Sequence, residues 1–160
     1  IPVQINAKTI VELGAGQSTF ALTAAATKTG GEFYSIDLCK DARERLYYEG
    51  SGALLDAEPK YHFIAGDDMT IVKTWNKQID FLLHDTSHIY DHTKFEIDAW
   101  FPFVRQGGII FAHDTAHESG DGQGCRKAYN EFMEGEEGKN YRIIHLLDPK
   151  ILGASLLIKL

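Results

Sequence analysis

The chain has 160 residues, 44% apolar and 24% charged, enough for one domain with a proper core. A net charge of −7 and a pI near 5.4 speak against a nucleic-acid-binding surface, which needs a basic stripe. No apolar run approaches the ~20 residues of a membrane span, no signal-peptide pattern opens the chain, and two cysteines are too few for a disulfide framework, which together point to the cytoplasm.

Residues 10–13 read as a short buried strand that stops in the turn Gly14-Ala15-Gly16, and residues 20–26 as the helix that follows. Glycine has no Cβ, so the backbone can come close to a ligand there, and the helix N-terminus points free N–H groups at it. A dinucleotide turn wants a third glycine where Thr19 stands, and Glu12 would face its pyrophosphate. A ligand with cationic groups suits the acid better. Residues 32–38 read as a second strand with Asp37 near its end, about 20 residues past the turn, where a carboxylate can accept from both hydroxyls of a ribose. The alternative role for Asp37 is capping the next helix.

The run Glu12-x-Gly14-x-Gly16 resembles motif I of the class I S-adenosyl-L-methionine (SAM) dependent methyltransferases. The resemblance implies cofactor contacts from Glu12, Gly14, Ala15, Gly16 and Ser18, and from Asp37 and Leu38 at the second strand.

Residues 41–49 form a charged helix-like stretch and 51–59 a loop or irregular helix. Residues 61–66 read as a third strand ending at Asp67-Asp68. Either acid can cap a short helix. The resemblance implies instead that one of them accepts from the adenine amino group. Residues 78–85 form a fourth strand ending in Asp85. Residues 91–104 follow as an amphipathic helix with Phe95, Ala99, Trp100 and Phe103 on its apolar face and Pro102 kinking its last turn. Gly107-Gly108 reads as a turn, residues 109–112 as a fifth strand ending at His113-Asp114, and residues 119–124 as a Gly-rich loop. Residues 126–134 are a helix; residues 141–147 and 154–160 are two strands joined as a hairpin through residues 148–152.

Strands and helices thus alternate and the chain closes on a hairpin. This predicts an α/β fold, a Rossmann-like doubly wound sheet of seven mostly parallel strands with one antiparallel strand from the hairpin. The resemblance covers residues 9–160 and implies a single methyltransferase domain over residues 1–160, with the family's helices upstream of the first strand missing or shorter. Ligands of such sheets bind beyond the carboxyl ends of the strands, a rim that would carry Glu12, Asp37, Asp67, Asp85, His113 and Asp114. Five of the seven histidines, His84, His88, His92, His113 and His117, fall at or just after strands four and five.

Asp85-x-x-His88-x-Tyr90 followed by His113-Asp114 resembles the O-methyltransferase branch that includes the catechol-type and macrolide-sugar enzymes. That resemblance implies His88 as general base, Asp85 beside it, and Asp85, His113 and Asp114 as ligands of Mg or another divalent metal. The sequence departs from the branch at Thr86, where Gly is usual, and at His113, where an acid is usual. A nitrogen ligand suits Mn, Fe or Zn better than Mg, and His113 could instead be a second base with no metal. The implied function is O-methylation of a small hydroxylated molecule, a sugar or natural-product intermediate. The alternatives are an NAD(P)-binding oxidoreductase and a metal-dependent enzyme on a related fold. No nucleic-acid or membrane partner is expected, and the oligomeric state is open.

Overall fold

A computed structural model describes residues 1–42, 60–116, 124–146 and 153–160. The expected helix at 41–49 (beyond residue 42), the loop or irregular helix at 51–59, the hairpin connection at 148–152, His117 and most of the Gly-rich stretch lie outside the described residues. Seven strands build one sheet: β1 (Thr9–Leu13), β2 (Glu32–Asp37), β3 (Tyr61–Ala65), β4 (Ile79–His84), β5 (Val104–His113), β6 (Tyr141–Leu146) and β7 (Ala154–Lys159). Their spatial order is β3-β2-β1-β4-β5-β7-β6. The pairings among β1 to β5 are parallel, and β7 runs antiparallel to both β5 and β6. One reversed strand is what the closing hairpin demands. The α-helices that lie wholly within the described residues are α1 (Ser18–Thr29), α2 (Asp68–Ile71), α3 (Tyr90–Trp100) and α4 (Cys125–Glu134).

Strand side chains alternate between the two faces, so each strand serves two cores. Ile10 joins Phe33, Phe81 and Leu83 against Leu22, Ala25 and Ala26 of α1. Val11 and Leu13 join Ile36, Leu82 and Leu157 against Ile97 and Trp100 of α3 and Ala128 and Tyr129 of α4. Helices therefore cover both faces. α1 presents small side chains to the sheet and can lie close to it. α3 buries Thr93, Glu96, Ile97 and Trp100, the i, i+3, i+4, i+7 stripe of one helix face. Trp100 is fully buried, and truncating such a side chain to alanine costs about 3–5 kcal/mol.

Two local expectations are corrected. The helix read over 91–104 stops at Trp100; Phe101–Phe103 is a single 3-10 turn and Val104 already belongs to β5. Pro102 lacks the N–H that an α-helix would use and its ring crowds the preceding turn. The second correction is Gly107-Gly108, which lies inside β5 and is not a turn between elements. Between the pairs Ile79–Val104 and Phe81–Ile109 the register shifts, and Gly107 absorbs the bulge at φ 70°.

The register also aligns the strand ends. Leu13 pairs with Ile36 on one side and His84 on the other. Gly14 N–H donates to Ile36 O at 2.9 Å, Asp85 N–H to Leu13 O at 3.1 Å, and Gly66 N–H to Asp37 O at 2.9 Å. Strand order reverses at β1, with β2 on one side and β4 on the other. A crevice opens at such a switch point, beyond the carboxyl ends.

Candidate active site

The Gly14 turn is fixed from three sides. Gly14 has φ 89°, and a Cβ there would lie 1.9 Å from the Asp85 carbonyl oxygen, so β4's end packs directly on the turn. Ala15 N–H donates to Asp37 Oδ2 at 3.0 Å, while Cys39 N–H donates to Asp37 Oδ1 at 2.7 Å. Glu12 stands underneath, fully buried. Its carboxylate accepts from Ser18 Oγ, from Thr19 Oγ1 at 2.7 Å and from Ser35 Oγ at 2.7 Å. Burial pushes the Glu12 pKa up to about 7 against the pull of those hydroxyls. Thr19, where a dinucleotide turn has glycine, also accepts from Gly16 N–H at 3.1 Å. It knits α1 to the turn.

A cavity of about 320 Å³ opens in front of the turn. Of the residues expected to hold a cofactor, Gly14, Ala15, Asp37, Leu38, Asp67, Asp68 and Asp85 line it. Glu12, Gly16 and Ser18 do not. Glu12 and Ser18 are bonded to each other behind the turn, and their part is to shape it. Ile36, Gly66, Thr86, Ser87 and His92 complete the wall, and none of the five is among the cofactor contacts expected from sequence. The volume suits a small-molecule site. Among the described residues its lining carries four carboxylates and no Lys or Arg. Such a set of acceptors repels pyrophosphate, accepts from hydroxyls and amines and attracts cationic groups, which fits an adenosyl group with a cationic tail.

The two acids after β3 differ. Asp67 caps α2, accepting from Met69 N–H at 3.2 Å and Thr70 Oγ1 at 2.8 Å. Asp68 is 8% exposed; its Oδ1 lies 3.2 Å from His92 Nε2, and its Oδ2 is buried without a hydrogen-bond partner.

Beyond Asp85, at the other end of the crevice, the β5 terminus brings up His113 and Asp114, and the segment after β4 brings His88. His113 Nδ1 lies 3.0 Å from Asp114 Oδ1 and 3.5 Å from Asp85 Oδ1. His88 Nε2 lies 2.6 Å from Asp114 Oδ2. Asp114 is 4% exposed, sits at φ 53°, and its Oδ1 has no hydrogen bond of good geometry. Asp tolerates the left-handed region better than most residues. Burial pushes the Asp85 carboxyl above the usual carboxylate range, with the His113 imidazole opposing it. One donor atom each from Asp85, His113 and Asp114 lie within 4.8 Å of one another, a spacing that fits a single cation.

The histidines do not all reach this rim. His84 is 3% exposed and faces the α3–α4 layer. Its Nε2 lies 2.8 Å from Glu96 Oε2, its Nδ1 bonds Tyr129 Oη, and Thr86 Oγ1 donates to Glu96 at 2.7 and 2.8 Å. Glu96 thus grips the residues on both sides of Asp85. Its signal in the sequence is the α3 stripe itself, since Glu96 stands between Thr93 and Ile97, in line with Trp100. His88, His92 and His113 are the rim histidines among the described residues.

The sequence profile of a methyltransferase-domain family matches residues 11–115. Several solved structures share the fold. A candidate caffeoyl-CoA O-methyltransferase from Staphylococcus aureus superposes with a TM-score of 0.74 at 17% identity, covering 98% of this chain and 78% of its own. A candidate rRNA methylase from Clostridium thermocellum gives 0.74 at 14%, covering 96% and 89%. An O-methyltransferase from Bacillus cereus, solved with S-adenosylhomocysteine, gives 0.70 at 12%, covering 98% and 76%.

Proposed function

The chain belongs to a methyltransferase-domain family, and from that premise we propose that it transfers the methyl group of SAM to a hydroxyl oxygen of a small acceptor such as a sugar or natural-product intermediate. The observation that carries this reading is the place of Asp85. It closes one end of the acceptor-rich cavity and stands 3.5 Å from His113, in the group that also contains His88 and Asp114. A cofactor pocket and a proton-accepting group therefore meet at one residue. The net charge of −7 favours a small acceptor over RNA, whose phosphates such a surface repels.

SAM supplies an electrophilic methyl on a sulfonium. The chain supplies alignment and proton management. Asp37 keeps lone pairs for ribose hydroxyls beyond those used by Ala15 and Cys39. Ile36 and Leu38 give the cavity its apolar wall. The acid-lined turn accommodates the cationic tail. Holding oxygen, methyl and sulfur in line is worth about 7–11 kcal/mol of barrier. His88 takes the proton from the acceptor hydroxyl, and the Asp114 carboxylate stabilises the imidazolium that results.

Asp85, His113 and Asp114 would hold a divalent cation. One bound there would stabilise a developing alkoxide. Two carboxylates with an imidazole favour Mn, Fe or Zn over Mg. The other use of His113 is as a second base. Free Cys39 and Cys125 suit a cytoplasmic setting. Among the described residues, no helix is long and apolar enough to cross a membrane.

Calorimetry with S-adenosylhomocysteine tests the cofactor reading; no heat at millimolar ligand overturns it. Metal analysis and Mn²⁺ titration of the wild type and His113→Ala separate the two uses of His113. Uptake lost in the variant supports ligation, and no uptake by either supports the base.

A further inference from the structure

We propose that the groove between the carboxyl ends of α3 and α4 binds a small organic cation, an amine carried on an apolar body. Two hollows of about 470 and 230 Å³ lie side by side there. They sit where β6 begins and β7 ends, at the opposite end of the sheet from the acid-lined crevice. None of their lining residues lines the cofactor cavity, so an occupant is neither the cofactor nor the acceptor.

The floor is apolar. Ile97 of α3 and Phe132 of α4 line both hollows. Ala128 lines the smaller one, and Phe101, Pro102 and Tyr141 line the larger. Phe132 is half-buried and meets Phe101 and Tyr141 edge-on, at 5.3 Å in each case. The larger volume is that of a small-molecule site.

The edge is acidic. Asp98, Glu131, Glu136 and Glu137 stand against two lysines, Lys94 and Lys159. Both lysines are already engaged. Lys94 Nζ donates to Glu131 Oε2 at 2.9 Å and to Tyr90 Oη at 3.2 Å. Lys159 Nζ donates to the carbonyl oxygens of Phe101 at 3.3 Å and Pro102 at 3.2 Å. Glu136 pairs with Lys139. Asp98 and Glu137 are left over. Both are exposed, both line the two hollows, and among the described residues neither makes a hydrogen bond or an ion pair. Lys159 acts on Glu137 only from beyond ion-pair distance. Asp98 also stands in the last turn of α3, and neither α3 nor α4 carries a basic residue in its last turn. A helix carboxyl end is partly negative; an acid there adds to that charge and a cation offsets it. A positive head between Asp98 and Glu137 meets both acids, and the hollows on either side seat its apolar body. A neutral ligand leaves the two acids unmet, and an anion is repelled.

The test uses three probes with one skeleton and different charge: 4-phenylbutylamine, 4-phenylbutan-1-ol and 4-phenylbutyrate. Each is titrated into the whole ¹⁵N-labelled protein, with S-adenosylhomocysteine present, and followed by amide shifts. The shift map separates this groove from the acid-lined cavity whether or not the cofactor product binds. The amine is expected to saturate below about 10 mM, with shifts centred on residues 97–102 and 128–137. It should bind about fivefold more tightly than the alcohol, with the carboxylate weakest. About 0.5 M salt should shrink that advantage. Asp98→Asn with Glu137→Gln should bring amine and alcohol within about twofold, leave the alcohol unchanged, and melt no lower than the wild type, because both acids are exposed and unpaired. Equal binding of the three probes, an amine preference that survives the double substitution, shifts centred elsewhere, or no saturation overturns the proposal. Self-association that excludes the amine overturns it too and assigns the groove to a second copy. An octalysine peptide that displaces the amine at lower concentration than the amine itself needs also overturns it, in favour of a basic protein segment.

Discussion

The Asp85 carbonyl oxygen occupies the space a Gly14 side chain would need, 1.9 Å from an ideal Cβ. The cofactor turn and the end of β4 are therefore one packed unit. Gly14→Ala combines that clash with the penalty of a side chain at φ 89°. The expected loss is about 2–5 kcal/mol in urea unfolding, with S-adenosylhomocysteine binding abolished. Gly16 has open space around an added Cβ, so Gly16→Ala should stay within about 1 kcal/mol of the wild type.

Glu12 makes stability pH-dependent in an unusual sense. Its pKa is raised in the fold from 4.5 to about 7, so the folded state holds its proton more tightly than the unfolded chain. The contribution is fully present below about pH 4.5 and is lost as pH rises through about 7, by up to about 3 kcal/mol. Unfolding of the wild type and Glu12→Gln from pH 4.5 to 8 should show the difference between them shifting against the wild type by that amount. A constant difference would refute the raised pKa.

Glu96 is fully buried between His84 and Thr86. Burial would raise its pKa, but His84 beside it prevails and the group stays below its ordinary value. Glu96→Ala strands the buried His84 and the half-buried Thr86 and should cost about 2–5 kcal/mol in denaturant unfolding.

His88 and Asp114 stand 2.6 Å apart at the rim. His88→Ala should lower turnover by about 10²–10⁴ while leaving S-adenosylhomocysteine affinity near the wild-type value. Full activity in that variant would remove the base assignment. Asp114→Asn should lower turnover as well, because the imidazolium loses its counter-charge.

Much of the fold was legible because it is written locally. Five runs of apolar residues, each followed by a turn or cap signal, specify the strands of a parallel sheet, and the last two apolar runs specify the reversed strand. The glycine turn, Asp37 and Asp85 were legible for the same reason, since each sits where a strand must stop. Gly107-Gly108 misled because a glycine pair signals a turn and a strand bulge equally well, and only pairing with β4 separates them. Pro102 was read as a kink because sequence alone does not say that β5 begins two residues later.

The sequence alone determined the sheet, its order of elements, and which end of it carries the acids and histidines, because strand periodicity and turn chemistry act between neighbours in the chain. Only the tertiary structure decided what each of those side chains does. Glu12 turned out to brace the turn from behind, through Ser18 and Ser35, while His84 went to the core with Glu96 and Tyr129. His92 joined Asp68 across 24 residues of sequence. Such roles depend on which face of a strand or helix meets which partner across the crevice, and that is set by packing between layers, which no local pattern encodes.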